Sequence, residues 1–190
     1  MSAGWRCFVA VPLGEALRAE LTKAAAGWRT QPPADALRWA EPDAWHLTLA
    51  FLGSVDPDDV PWMTAAVRRV VAAHDPTEVE TGRLGVFHRP GSVRVLWYGV
   101  ADPDARVAAL AGDLADALAL PHDEPFRPHV TLARARRRPV DLRGWIEAAS
   151  ASAPDGRLTV DRIALMRSHL GSGAPRYETL ASFVLGGVVG

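Results

Sequence analysis

Two short segments of the chain contain the same ordered set of groups that can do acid–base chemistry. Each segment reads histidine, aliphatic residue, threonine, leucine; one begins at His46 and the other at His129. In a β-strand successive side chains point to opposite faces, so His46 shares a face with Thr48, and His129 shares a face with Thr131. The aliphatic side chains point the other way, into a core. Two such strands side by side predict a groove that contains two imidazoles and two hydroxyls.

These groups suit cleavage of a phosphodiester without a metal ion. Because the unperturbed pKa of histidine is about 6.5, both of its protonation states exist near neutral pH. One neutral imidazole can remove a proton from an attacking water, and one protonated imidazole can give a proton to the leaving oxygen. The residues by themselves do not assign the two roles. The threonine hydroxyls can donate hydrogen bonds to non-bridging phosphate oxygens, where transition-state charge develops.

Other hydrolytic chemistries find less support in the sequence. Two histidines without an obvious carboxylate at ligand spacing make a poor zinc site, so we expect no metal. No Gly-x-Ser-x-Gly segment for serine hydrolysis occurs. Ligation coupled to a nucleoside triphosphate is also unsupported, because neither a Walker loop nor a nucleotide-transfer lysine motif is evident. Cys7 is the only cysteine. A disulfide within the chain and a cysteine metal cluster are therefore excluded, and a reducing compartment fits.

The composition is that of an ordinary globular protein. The 190 residues are 48% hydrophobic and 23% charged, with a formal net charge of −1. Since the chain is not a bulk polycation, contact with a nucleic acid would need a local basic patch. No stretch approaches the roughly 20 apolar residues of a membrane span, and Pro12 interrupts the short apolar start. We expect a cytoplasmic protein that does not bind membranes.

The hydrophobic periodicity predicts about eight strands and four helices. Strands outnumber helices and often follow one another directly, which favours an α+β fold with antiparallel sheets over a doubly wound parallel sheet. No linker is evident, so residues 1–190 are expected to form one domain. The predicted strands are 6–11, 36–40, 45–52, 77–87, 93–100, 128–134, 157–167 and 176–185, and the predicted helices are 14–28, 57–74, 103–120 and 140–150.

With both motifs placed, the chain resembles the 2H phosphoesterase superfamily, which is named for two His-x-Thr motifs. Within it, the chain is similar to the bacterial and archaeal RNA 2′,3′-cyclic phosphodiesterases, also called 2′-5′ RNA ligase-like proteins. The resemblance extends over about residues 6 to 185, and the second motif is its most specific part. It is carried by residues 6–12, Trp39 with 46–53, 94–100, 126–134, 168–170 and 175–178.

The resemblance implies a two-lobed 2H phosphoesterase fold, in which antiparallel sheets are related by a pseudo-twofold axis around a central cleft. It implies hydrolysis of a terminal 2′,3′-cyclic phosphate of RNA to a 2′-phosphate, with no metal and no organic cofactor. A weak reverse reaction would join RNA ends through a 2′-5′ bond. By the same resemblance His46 is the general acid and His129 the general base, while Thr48, Thr131 and Arg134 hold the phosphate.

Further residues have both a binding and a structural interpretation. Phe8, Trp39 and Tyr177 could stack on a base at a single-stranded end. Core packing is the alternative, and it is favoured for Phe8. Arg134 begins a basic cluster with residues 136–138, which could bind phosphates or form a solvated loop.

Other functions remain open from the sequence. The substrate could be a small cyclic nucleotide, a 2′-5′ oligoadenylate or an ADP-ribose cyclic phosphate. The chain could also be an RNA-end binding module whose turnover is incidental. We expect its partners to be RNA 3′ ends or small cyclic-phosphate nucleotides, with no obligate protein partner, and we expect a monomer.

Overall fold

The computed structural model describes residues 4–89, 92–121, 125–136, 140–169 and 176–187. The described residues form nine strands and four α-helices. The strands are β1 (Trp5–Pro12), β2 (Arg38–Trp39), β3 (His46–Val55), β4 (Thr77–Arg89), β5 (Ser92–Ala101), β6 (His129–Arg134), β7 (Gly156–Val160), β8 (Arg162–His169) and β9 (Arg176–Val184). The helices are α1 (Glu15–Trp28), α2 (Val60–Ala72), α3 (Arg106–Ala117) and α4 (Trp145–Ala151).

All strand pairs are antiparallel, in the order β7-β4-β5-β6-β3-β1-β8-β9, with β2 added beside β6. The sheet divides into two lobes of four long strands each, β7-β4-β5-β6 and β3-β1-β8-β9. In the described residues the lobes are joined between β3 and β6 by one pair, Leu47 with Val130. This arrangement confirms the predicted α+β fold with two antiparallel lobes.

The sheet must curl, because strands β7 and β8 lie far apart in the strand order but follow each other directly in the chain. Asp161 alone separates β7 from β8, although six strand spacings of about 4.8 Å, roughly 29 Å in a flat sheet, lie between them. The predicted continuous strand 157–167 is therefore wrong. The buried residues are Leu158 and Val160 before Asp161 and Ile163 to Leu165 after it, so the alternation changes phase at the corner.

The helices cover one face of the sheet with the apolar stripes that the sequence predicts. α1 buries Leu17, Leu21, Ala25 and Trp28, and α3 buries a similar stripe. Helices α2 and α3 each begin three residues later than predicted. Asp102 accepts hydrogen bonds from two backbone N–H groups at the start of α3, so the helix begins four residues beyond it. A short 3-10 turn, Pro57–Asp59, precedes α2.

Two smaller differences concern the ends of elements. The predicted strand 36–40 is reduced to Arg38–Trp39, and the last helix begins at Trp145 rather than near residue 140. Among the described residues, the helices all fall short of the length and hydrophobicity that crossing a bilayer requires.

Candidate active site

The two His-x-Thr segments lie on neighbouring strands at the join between the lobes. Leu47 and Val130 are paired and fully buried, whereas the histidines and threonines on either side of them are half-buried. This confirms the prediction that the aliphatic residues of each segment point into the core and its histidine and threonine point to the opposite face. Since the strands are antiparallel, each histidine lies diagonally across from the other, with Cα atoms roughly 7–8 Å apart in a regular ladder. The fold thus brings both predicted catalytic pairs into one cleft.

Both strands contain a β-bulge at the same distance from their histidine. The register between β3 and β1 shifts at Leu49, and the register between β6 and β5 shifts at Leu132. An extra residue reverses the alternation of faces, so two consecutive residues are buried in each strand and the next one is exposed. As a result Phe51 and Arg134, each five residues after its histidine, return to the face of the cleft.

The two imidazoles are held in the same orientation by the backbone. Nδ1 of His46 lies 2.7 Å from the carbonyl oxygen of Ala44, and Nδ1 of His129 lies 2.7 Å from that of Arg127. A carbonyl can only accept, so Nδ1 carries the hydrogen in both rings. Nε2 is then the free position: it accepts a proton when the ring is neutral and donates one when the ring is charged.

Aromatic rings pack against His46 on two sides. Phe8 stacks on the imidazole with ring centroids 4.8 Å apart, and Tyr177 meets the imidazole edge-on at 5.2 Å. Phe8 is only 4% exposed, so it has the core-packing role and supports the histidine. Tyr177 is half-buried and also meets the Phe8 ring edge-on. Stacking of a base on Tyr177 stays a prediction.

His129 lies in the opposite lobe from His46, and aromatic rings of its own lobe pack against it. Phe87 meets the imidazole edge-on at 4.9 Å, and the Trp97 ring lies 6.4 Å away. The Trp97 side chain packs over the backbone of β4 at Gly85, where an added Cβ atom would overlap the indole ring. Glycine at this position is therefore what allows the indole to lie beside His129.

Burial and a nearby cation favour the neutral form of both imidazoles. Burial lowers the pKa of His46 to about 4; the hydrogen bond to Ala44 opposes this shift, while Arg134 and His129 add to it. Burial also lowers the pKa of His129; the hydrogen bond to Arg127 opposes the shift and Arg134 adds to it. An anion placed between the rings would reverse the effect of Arg134 and favour protonation.

Arg134 lies near both histidines, as the resemblance implies. It is close enough to both rings to lower their pKa, and Tyr177 lies near it as well. Arg136, the next arginine of the predicted basic cluster, is exposed. Arg137 and Arg138 lie outside the described residues.

Trp39 has a structural role in the described part of the chain. Its indole N–H donates to the carbonyl of Ala34 at 3.0 Å, and the Arg29 guanidinium lies 5.7 Å from its ring centroid. The ring thus packs against residues of the segment between α1 and β2. Stacking of a base on Trp39 gains no support from these contacts.

Sequence reasoning did not single out Phe51, which is 66% exposed beside the Phe8 ring. A signal for it was present: residues 46–51 read HLTLAF and residues 129–134 read HVTLAR. The first five positions of the two segments match in residue character. The sixth position differs: it is Phe51 in one segment and Arg134 in the other. The pseudo-twofold thus places an apolar ring on one side of the cleft and a cation on the other.

Comparison with known proteins gives matches over most of the chain. A family model described as the 2′-5′ RNA ligase superfamily matches residues 15–172. An RNA 2′,3′-cyclic phosphodiesterase of Thermus thermophilus is 32% identical, over 96% of this chain and 91% of the relative. One of Methanothermobacter thermautotrophicus is 28% identical, over 95% and 98%. One of Geobacillus stearothermophilus is 31% identical over 94% of this chain, which spans only 56% of that longer relative.

Solved structures agree with these matches. The crystal structure of TT0787 of Thermus thermophilus has a TM-score of 0.75 and 28% identity, and the match covers 96% of this chain and 98% of that one. Escherichia coli LigT in its apo form has a TM-score of 0.74 and 26% identity, over 97% and 99%. LigT has also been crystallised with 3′-AMP, and that structure has a TM-score of 0.72 and 26% identity over the same shares of the two chains.

Proposed function

The chain belongs to the 2′-5′ RNA ligase superfamily, and we propose that it hydrolyses the 2′,3′-cyclic phosphate at the 3′ end of RNA to a 2′-phosphate without a metal ion. The observation that carries this proposal is the matched pair of imidazoles, each with Nδ1 bound to a backbone carbonyl and Nε2 left for a substrate. The names of the relatives, RNA 2′,3′-cyclic phosphodiesterase, support the substrate class.

The proposed reaction needs one proton acceptor and one proton donor. Neutral His129 takes a proton from water at Nε2 as the water oxygen forms a bond to phosphorus. Protonated His46 gives its Nε2 proton to the 3′ oxygen as the bond between phosphorus and that oxygen breaks. The phosphate then stays on the 2′ oxygen. Two histidines on facing strands suit a displacement in which the attacking and leaving oxygens lie in line.

The remaining groups would bind the phosphate. Thr48 and Thr131 share the cleft face with the histidines, so their hydroxyls can donate to the non-bridging oxygens. Arg134 adds a positive charge on the same face. Phe51 and Tyr177 offer apolar surface for the terminal nucleoside. The same groups can run the reaction backwards, and we propose that a 2′-5′ junction forms only weakly, because water is the competing nucleophile.

The direct test uses adenosine 2′,3′-cyclic phosphate and a short RNA that ends in the same cyclic nucleotide, both with excess EDTA. We expect a gain of one water and a product that co-migrates with authentic 2′-AMP. A 3′-AMP product would reverse the leaving group, and activity that EDTA abolishes and zinc restores would contradict the metal-free mechanism.

Variants test the two histidines. His46→Ala and His129→Ala should each lower kcat by about 10²–10⁴-fold, the usual contribution of a general acid or base. The matched control is His74→Gln, because His74 pairs with Asp113 on another part of the surface. Wild-type kcat in either alanine variant would overturn the acid–base assignment. Thermal melts would establish that all three variants fold.

A further inference from the structure

A row of polar side chains crosses the lobe that contains His46, at the end of β1 where that strand begins. Arg6 on β1 is directly opposite both Ser54 on β3 and Ser168 on β8. Ser168 is in turn opposite Tyr177 on β9. Residues that are directly opposite each other in a sheet share a face, with Cβ atoms about 4.5–5.5 Å apart. The row therefore places a guanidinium between two hydroxyls, with the Tyr177 ring beside them.

The row lies on the cleft face of the sheet. Arg6 and Phe8 are two residues apart on β1, which pairs with β8 without a register shift, so both side chains point to the same side. The Phe8 ring stacks on the His46 imidazole, and Tyr177 meets that imidazole edge-on. The row thus continues the face that carries the candidate catalytic groups.

The paired charges of these strands lie on the opposite face. Arg167, the neighbour of Ser168 on β8, lies 3.7 Å from the carboxylate of Glu178. Its guanidinium also lies 3.9 Å from the centroid of the Trp5 ring. Because side chains alternate along a strand, Glu178 compensates the charge of Arg167 rather than the charge of Arg6.

The donors of the row are left for an external group. In the part of the chain that the structure describes, Arg6 is exposed and forms no ion pair, and the hydroxyls of Ser54 and Ser168 form no hydrogen bond. Gly4 leaves room for the Ser54 hydroxyl, because an added Cβ atom there would overlap it. A guanidinium fork flanked by two O–H donors suits an anion with several oxygens, and phosphate is such an anion.

The row is separate from the groups around the reacting phosphate. Burial, and then the charges of Arg134 and His129, lower the pKa of His46, and the charge of Arg6 is not among these causes. A 2′,3′-cyclic phosphate is a diester with a single negative charge, for which Arg134 is available. An anion bound at Arg6 is therefore a second one.

The proposed reaction places the nucleoside on the same lobe as this row. His46 protonates the leaving 3′ oxygen, so the ribose lies on the His46 side of the phosphorus, where Phe8 and Phe51 pack together. Arg6 lies two residues beyond Phe8 along β1, about 7 Å by strand rise. Consecutive phosphates of an RNA strand are separated by a similar distance. The phosphate on the 5′ oxygen of the terminal nucleotide is therefore within reach of Arg6.

We propose that Arg6, Ser54 and Ser168 form a subsite for the phosphate on the 5′ oxygen of the terminal nucleotide, which in an RNA chain is the last internucleotide phosphodiester. The subsite rests on the proposed function for its orientation. The guanidinium binds this phosphate through two hydrogen bonds, and the serine hydroxyls donate to its remaining oxygen atoms. The RNA chain then leaves the cleft past the beginning of β1.

Binding of reaction products tests the subsite without turnover. The probes are 2′-AMP, adenosine 2′,5′-bisphosphate and an adenosine dinucleotide that ends in a 2′-phosphate, each titrated in a calorimeter at several salt concentrations. We expect the second and third probes to bind about tenfold or more tightly than 2′-AMP, as one charge-assisted contact provides. Their slope of log affinity against log salt should be steeper by about 0.7 for the added phosphate contact. Arg6→Gln should remove both differences, and Ser54→Ala combined with Ser168→Ala should reduce them.

Kinetics provide the second readout. The ratio of kcat/KM for adenosine 2′,3′-cyclic phosphate with a 5′-phosphate to kcat/KM for the same compound with a 5′-hydroxyl should be about tenfold or more in the wild type. This ratio should approach one in Arg6→Gln. Arg69→Gln is the matched control and should keep the wild-type ratio, since Arg69 is an exposed arginine on α2.

Two results would overturn the subsite: equal affinity of the three probes in the wild type, or unchanged differences in an Arg6→Gln protein that thermal melts show to be folded. A gain for the bisphosphate alone would overturn the assignment to an RNA chain, because the dinucleotide carries the phosphodiester. Failure to turn over either cyclic substrate would instead contradict the proposed function. The product titrations would still decide whether Arg6 binds a 5′-phosphate.

Discussion

The lowered pKa values of the two imidazoles predict different pH profiles for kcat/KM and kcat. The pKa of His46 is about 4 and that of His129 is below its ordinary value. At pH 7 about one molecule in a thousand would then carry a protonated His46 before substrate binds. Because kcat/KM reports the free enzyme, its optimum should lie below pH 6.5, between the two lowered values.

Bound substrate should move both pKa values upwards. A unit negative charge about 5 Å from an imidazole, at an effective dielectric constant of about 20, stabilises the imidazolium by about 3 kcal/mol, which is about 2 pH units. Since kcat reports the enzyme–substrate complex, its optimum should lie about 2 pH units above that of kcat/KM. The direction follows from the sign of the charge: an anion raises a histidine pKa.

The assay is initial rates on a cyclic mononucleotide from pH 4 to pH 9 at constant ionic strength, with circular dichroism to establish that the protein stays folded. Arg134→Gln provides the matched perturbation. It removes a cation that lowers both pKa values, so the optimum of kcat/KM should shift to higher pH even though the rate falls. Coincident optima for kcat and kcat/KM, or a shift to lower pH in the variant, would refute this reasoning.

Three further variants test the supporting structure. Gly85→Ala should lower kcat with little change in KM, because the new Cβ displaces the Trp97 ring from the His129 imidazole. Gly112→Ala, where a Cβ meets open space in α3, is the control and should stabilise the protein by about 0.5–1 kcal/mol. Equal kcat in the two variants would contradict the role of Trp97. Asp102→Ala removes two hydrogen bonds at the start of α3 and should lower the free energy of unfolding by about 0.5–2 kcal/mol in urea, with activity retained. His46 is neutral when folded but protonates below pH 6.5 when unfolded, so its contribution to stability, up to about 3 kcal/mol, should be lost between pH 6.5 and about 4; His46→Gln should show a shallower loss in urea titrations, and parallel losses would exclude the lowered pKa.

Much of the fold follows from local patterns. Leu17, Leu21 and Trp28 recur at helical spacing and are buried on one face of α1, as predicted. The strand that contains His46 and the strand that contains His129 were both predictable, because alternation with period two depends only on neighbouring residues. The corner at Asp161 was not predictable, because the change of phase there fits a bulge within one strand as well as a corner between two. What turns the chain there is pairing with strands distant in sequence, β4 on one side and β1 on the other.

The amino-acid sequence by itself determined the candidate reacting groups: two histidines, each followed by a threonine on the same strand face, in repeated segments of equal length. Tertiary structure alone decided how they meet. The pair of Leu47 with Val130 sets the two imidazoles diagonally across one cleft, and the bulges turn Phe51 and Arg134 towards it. The physical reason is that side-chain alternation is a local property of the chain, whereas strand register and bulges depend on which distant strands pair.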